Sequence, residues 1–256
     1  MYRIIHTAKY WVSISGILVA ASIIAWLVWG LNLGIDFTGG TSMELNFPDA
    51  ASRPVTTEVT TALEELGISS VRVQEAGDSN LVLKMQEINN DQRQQILDQY
   101  SDQNATELSY SAIGPTLGAE LKEKAIIALI LVFLAIVGFV SYAFRKISKN
   151  SVPSWIFGIG AIVALVHDVL LVLGVFIILG RFFDVQIDAY FMTALLTILG
   201  FSVNDTIVVY DRIRERLKDR GKKTFKQIIN ESINTTMVRS INTSLTTFLV
   251  LLTLYL

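Results

Sequence analysis

The sequence predicts a polytopic α-helical membrane protein that carries one α+β, ferredoxin-like βαββαβ domain outside the membrane. Three observations point there. Apolar runs of about twenty residues, the length that crosses a hydrocarbon core, recur along the chain. The composition is 52% hydrophobic and 17% charged with a mean hydropathy of +0.49, which suits a membrane protein better than a soluble domain. Between the first and second runs lies one polar stretch, with 6 Lys/Arg against 15 Asp/Glu from Leu31 to Lys124. The chain has no cysteine, which excludes a disulfide framework and a thiolate metal site.

Residues 1–10 (MYRIIHTAKY) are short and basic through Arg3 and Lys9. Trp11 to Leu31 is the first expected span, with Trp11, Trp26 and Trp29 near its ends as an aromatic belt would place them. It lacks an A-x-A cleavage site and reads as a retained helix rather than a cleaved signal peptide. The segment GIDFTGGT, Gly34 to Thr41, follows directly. Gly39-Gly40 allows a tight turn or close backbone packing, and Asp36 can cap or turn the chain at the membrane surface. No Gly-Lys-Ser/Thr follows, so it is not a phosphate loop.

The domain at 32–124 alternates between strand and helix periods. Ser42–Phe47 reads as a strand, Val55–Leu66 as a helix stopped by Gly67, and Ser70–Glu75 as a second strand. A turn cluster at Gly77–Asn80 leads to a third strand, Leu81–Met85. A helix at Asp91–Tyr100 and a weaker strand at Glu107–Ala112 complete the βαββαβ order. The domain shows no metal-ligand spacing, nucleophile elbow or basic patch, and reads as a contact domain; no enzyme activity is expected.

Ile113–Lys124 returns the chain to the membrane as a short amphipathic approach, and 125–144 is the second span. The loop 145–154 carries Arg145, Lys146 and Lys149, and the third span is 155–179. The loop 180–188 leads to a fourth span at 189–210, then to a segment at 211–238 whose first part, Asp211 to Lys226, holds eight Lys/Arg and three acids. Thr224–Asn234 reads as a surface amphipathic helix, and 239–256 as a fifth span that ends inside an apolar run. Basic segments (1–10, 145–154, 211–238) alternate with the acidic domain and the 180–188 loop by odd–even counting, which places the N-terminus in the cytoplasm and 32–124 outside. The basic loop is most simply an anchor on anionic lipid; nucleic acid is not an expected partner.

Ionisable residues inside the apolar runs carry the functional argument. A carboxylate at bilayer depth costs roughly 2.5 to 3.5 kcal/mol and marks a working or a paired group. Asn204 and Asp205 lie in the fourth span, His167 and Asp168 in the third, and Arg239 opens the fifth. Low dielectric favours a protonated acid, a nearby guanidinium favours its carboxylate, and Arg itself stays charged, so the set has the parts of an ion relay. Asn204 could hold the carboxylate by a hydrogen bond, and Thr206 with Thr243, Ser244, Thr246 and Thr247 could carry water. The competing readings are a structural ion pair, a satisfied His–Asp hydrogen bond, and Ser/Thr used for close helix packing. No second His or carboxylate stands at metal-ligand spacing, so no metal site is expected.

GIDFTGGT after the first helix, GPTLGAEL before the second, ALVHD in the third and GFSVNDTIVVYDRIRE across the end of the fourth together resemble the SecF branch of the SecD/SecF family, within the RND superfamily. The resemblance runs from about Tyr10 to Leu256. It implies an RND-type helix bundle and a subunit that, with SecD, uses the proton motive force to help draw polypeptide from the SecYEG channel of the bacterial plasma membrane, with YajC or YidC as further neighbours. It implies a proton relay of Asp205, Arg239 and Asn204, a less defined role for His167 and Asp168, and a motif of Gly34, Asp36, Phe37, Thr38, Gly39 and Gly40. It also implies a sixth helix, which this sequence lacks. No cofactor is expected beyond the ion gradient, and sodium stays open beside the proton. Two alternatives from other classes are half of a proton-coupled small-molecule exporter and a passive scaffold of the translocase.

Overall fold

The computed structural model describes residues 2–49, 52–144, 154–219 and 221–255. The expected loop residues Arg145, Lys146 and Lys149, and the terminal Leu256, lie outside the described residues. Among the described residues the order is α1 (Ile4–Trp29), α2 (Ile35–Thr38), β1 (Gly40–Asn46), α3 (Thr56–Glu65), β2 (Arg72–Ala76), β3 (Asn80–Met85), α4 (Asn90–Gln99), β4 (Thr106–Ile113), α5 (Pro115–Ala143), α6 (Ser154–Phe183), α7 (Ala189–Lys218) and α8 (Phe225–Tyr255). The chain divides into two compact units. One joins Met1–Leu31, Leu129–Val185 and Thr193–Leu256, and the other joins Asn32–Ala128 and Gln186–Met192.

The second unit is built on the expected βαββαβ frame. Its four strands are antiparallel in the order β2-β3-β1-β4. Met43 pairs with Leu83 on one side and Tyr110 on the other, and Leu83 pairs with Val73. Alternation puts Met43, Leu45, Phe47, Leu81, Leu83 and Met85 on one face, where Val59 and Leu63 of α3 and Ile96 of α4 cover them. At roughly 25 cal/mol per Å² of apolar surface removed from water, this layer is the main stabilising term of the unit. The turn between β2 and β3 uses Gly77 at φ +64°. Asn89 and Gln92 form a reciprocal capping box on α4. Arg93 of α4 grips Glu107 of β4 through two hydrogen bonds (2.9 and 2.5 Å) and lies over the Tyr110 ring, so α4 is pinned to an edge strand.

The same unit explains the Gly-Gly segment. Gly39 (φ +74°) and Gly40 (φ +136°) lie in backbone regions that side chains resist. A Cβ on Gly39 would come within 2.7 Å of Pro115 Cα, one on Gly118 within 2.6 Å of the Gly39 nitrogen, and one on Gly40 within 2.6 Å of the Met85 carbonyl. GIDFTGGT and GPTLGAEL are therefore two halves of one junction, where β1 begins and α5 departs. Gly34 N–H donates to Ile187 O and Ile187 N–H to Asn32 O, so the segment also pairs with the turn before α7. Asp36 accepts from the Ala189 N–H (2.8 Å) and Asp188 from the Phe191 N–H (2.8 Å), satisfying donors that the start of α7 leaves open. Phe37 is buried, and the Thr38 hydroxyl donates to Gly34 O.

In the other unit the helices run further than the hydrophobic pattern indicates. α1 starts at Ile4, inside the expected N-terminal segment; α5 fuses the amphipathic approach to the second span; α7 continues through half of the basic loop. Four described helices are long and apolar enough to cross a membrane: Ile4–Trp29, Pro115–Ala143, Trp155–Phe183 and Ala189–Lys218. The expected surface helix and fifth span are one continuous helix, α8, which is not among these four. Its first half carries Glu231 and Arg239, and its hydroxyl-rich middle precedes the apolar end.

α1 packs on α6 along a seam of small residues, with Ser22 and Ala25 buried and Ser22 against Gly174. Such residues let helix backbones approach closely where lipid offers no hydrophobic drive. At the other end of the unit Phe144, Phe157 and Tyr210 make a mutual aromatic cluster, with ring centroids 5.2 to 5.9 Å apart. Asn230 and Asn234, one turn apart on α8, hold the backbone of Tyr2 at both its N–H (2.8 Å) and its C=O (3.0 and 2.9 Å). Glu231 accepts from Arg216 (2.5 Å) and Lys223 (2.7 Å), tying the end of α7 to α8, and these cations hold its carboxyl below the usual range.

Three expectations follow. Gly39→Ala combines left-handed strain with overpacking against Pro115 and should cost roughly 2 kcal/mol or more. Hydrogen exchange should report it as lost protection in β1 and the first turns of α5. Asp36→Ala removes a helix cap and should cost about 1 kcal/mol, read as faster exchange at Ala189 with β1 unchanged. The Glu231 tie depends on an ionised carboxylate whose folded value is depressed. It is present above the ordinary glutamate range and lost as pH falls through the folded value, so fraying of the first α8 turns as pH drops below the ordinary glutamate range should disappear in Glu231→Gln, which is already untied at neutral pH.

Candidate functional site

The apolar helices α6, α7 and α8 position all the ionisable residues picked out inside the spans. α7 carries Asn204 and Asp205, the first exposed and the second half-buried. Successive residues on a helix point about 100° apart. Among the described residues no hydrogen bond joins Asn204 to Asp205.

Arg239 lies on α8, exposed, within electrostatic reach of Asp205. Among the described residues no ion pair of 4 Å or less joins them. Arg239 instead lines a cleft of about 410 Å³ between α5, α7 and α8, together with Phe139, Ile207, Asp211, Glu215 and Thr235. Asp211 and Glu215 line the cleft, as do Ile207 and Val208, which stand within one turn of Asp205 on α7. An arginine that lines such a cleft, with no ion pair among the described residues, can respond to a charge on Asp205 without being locked to it.

His167 and Asp168 are more tightly organised. The His167 Nδ1 lies 2.8 Å from Asp168 Oδ1, and its Nε2 lies 2.5 Å from the Ser15 hydroxyl on α1. The Ser202 hydroxyl on α7 donates to Asp168 Oδ2. Because an ionised carboxylate only accepts, Nδ1 carries the proton toward Asp168 and Nε2 accepts from Ser15. Four side chains from three helices thus form one continuous hydrogen-bond chain, and it ends one turn before Asp205 on the same helix.

Ser15 and Ser202 were not distinguishable in the sequence, because small hydroxyl residues in apolar helices serve packing as readily as chemistry. The hydroxyl run of α8 is used locally: Thr243 donates to Arg239 O, Thr246 to Asn242 O and Thr247 to Thr243 O, at 2.9 to 3.0 Å. The Gly34–Gly40 residues stand apart from this set. They belong to the junction of the other unit, where their role is conformational.

Known proteins show the same pattern of elements. Residues 92–256 match the family model of the protein export membrane protein SecD/SecF C-terminal region, and residues 24–47 match the SecD/SecF GG motif. The protein translocase subunit SecF of Thermobaculum terrenum is 41% identical, over 94% of this chain and 78% of that protein. That of Escherichia coli O157:H7 is 32% identical, over 96% and 75%. Among solved structures, SecDF, a translocon-associated membrane protein from a Thermus species, superposes with a TM-score of 0.82 at 31% identity. The superposition covers 96% of this chain and 32% of that one, so the chain spans about a third of the SecDF it matches. Sequence and fold agree: the chain belongs to the SecD/SecF family of protein export membrane proteins, on its SecF side.

Proposed function

We propose that this chain is the SecF-type accessory subunit of a bacterial protein-export translocase, working with SecD in the plasma membrane to assist late stages of export beside the SecYEG channel. The relatives named as SecF support the subunit assignment, and the length of SecDF left unmatched supports a SecD partner. In this reading the basic segments lie in the cytoplasm and 32–124 lies outside. The βαββαβ domain then serves as a contact surface for the partner or the moving polypeptide. No cofactor or bond-making chemistry is required.

The coupling ion is read as the proton, and one observation carries that reading: a half-buried carboxylate, Asp205, on an apolar helix, with Arg239 in electrostatic reach and lining a polar cleft. Protonation of Asp205 removes its attraction for Arg239, and deprotonation restores it, so α7 and α8 gain two states that differ in charge. Each proton that crosses 100 mV releases about 2.3 kcal/mol, enough to bias such a two-state element on every cycle. The energy is delivered by the gradient, and the helices convert it into movement of the outer domain.

The test is export of a pre-protein into membrane vesicles, with and without an imposed proton gradient, for Asp205→Asn. The expected result is normal assembly with SecD and loss of the gradient-dependent part of export. Export that still responds to the gradient would make Asp205 structural and favour a scaffold role. A sodium gradient that substitutes for the proton gradient would reassign the ion.

A further inference from the structure

We propose that the Ser15–His167–Asp168–Ser202 chain is a proton-transfer branch that delivers protons to, or collects them from, the Asp205 face of α7. His167 and then Asp168 change charge in turn as a proton passes. The proposal rests on the relay reading above and deepens it by naming residues that reading does not use.

The geometry of the chain differs from that of a simple buried pair. A His–Asp pair is satisfied once Nδ1–H meets the carboxylate. Here the second ring nitrogen and the second carboxylate oxygen are also engaged, each by a hydroxyl from a different helix. A hydroxyl both donates and accepts, and an imidazole does so through two separate nitrogens, so every junction in the chain can pass a proton.

The surroundings isolate the chain. α1 has no acidic or basic residue between Lys9 and its end, and the stretch of α5 from Ala125 to Phe144 has none. On α7 the charged residue of the span is Asp205, three residues beyond Ser202, and on α8 it is Arg239. Three residues at 1.5 Å each put Asp205 about 4.5 Å further along the axis, on the same side of the helix.

One passage conserves protons at each step. A proton arriving at the Ser15 oxygen releases the Ser15 hydroxyl proton to His167 Nε2, forming the imidazolium. The imidazolium loses its Nδ1 proton to Asp168 Oδ1, which leaves neutral His167 and neutral Asp168. Rotation of the Asp168 carboxyl presents its O–H to Ser202, which takes that proton as its own is released on the Asp205 side. One proton has entered and one has left. The imidazole is left as the Nε2–H tautomer, and the starting state returns when a water molecule takes the Nε2 proton and another gives one to Nδ1. Such a chain transmits protons and cannot transmit sodium, so it also bears on the identity of the ion.

The test uses the assembled SecD-containing complex in membrane vesicles and compares His167→Gln, Ser15→Ala, Ser202→Ala and Ser202→Thr with Asp205→Asn. Glutamine keeps a donor and an acceptor in place but cannot become charged. Gradient-dependent export should be lost in His167→Gln and reduced in both alanine variants, with Ser202→Thr recovering what Ser202→Ala loses and assembly unchanged throughout. Ser15→Ala removes one oxygen from a helix surface, so it stays informative if His167→Gln accumulates poorly. A full gradient response in His167→Gln and Ser15→Ala, with Asp205→Asn inactive, would overturn the branch and leave the relay reading standing. A full response in all variants, Asp205→Asn included, would overturn both.

Discussion

An ionisable or hydroxyl group on an apolar helix has no bulk water to solvate it, so it must find a hydrogen bond, a counter-charge or a wet cleft. Each such group in α6, α7 and α8 meets that demand in its own way. His167 and Asp168 spend every polar atom on partners. Arg239 opens into a cleft of about 410 Å³. The threonines of α8 return their hydroxyl protons to the carbonyls of their own helix. Asp205 differs, being half-buried with Arg239 in electrostatic reach but, among the described residues, without an ion pair of 4 Å or less. A group held so loosely can change its charge at small structural cost, which is what a relay needs and a structural tie does not.

The helix contacts show where rigidity is concentrated. Ser22 seats against Gly174 between α1 and α6, and the Phe144, Phe157 and Tyr210 rings lock α5, α6 and α7 at one end. The Ser15–His167 bond lies on the α1–α6 seam, so its length is set by tight packing. Ser202, by contrast, reaches Asp168 from α7, the helix that also bears Asp205. A shift of α7 would break or make that bond and change its distance from the α6 pair together.

The glycine junction poses a separate constraint. Two backbones meet at Gly39 and Gly118 with no room for a Cβ on either, and Asp36 adds a cap to the start of α7 from the same short segment. The entry to the sheet, the departure of α5 and the start of α7 are thus fixed by contacts among a few residues. The family motif at Gly34–Gly40 acts here through its backbone conformation and through the Asp36 carboxylate, which caps the start of α7.

The sequence by itself determined the class, the order of the elements and which ionisable residues stand inside apolar runs. Apolar runs near twenty residues and a period switching between two and 3.6 follow directly from bilayer thickness and backbone geometry, so the long apolar helices and the βαββαβ order were legible. Charge within an apolar run is conspicuous, so Asp205, His167, Asp168 and Arg239 were legible too. Helix ends were not: α1, α5, α7 and α8 each continue past a change of polarity, because backbone hydrogen bonding does not stop where hydrophobicity does. Only the tertiary structure decided that Gly39 meets Gly118, and that Ser15 and Ser202 close on His167 and Asp168. Those facts depend on which faces of separate helices approach each other, and a serine in an apolar run carries the same local signal whether it packs or conducts.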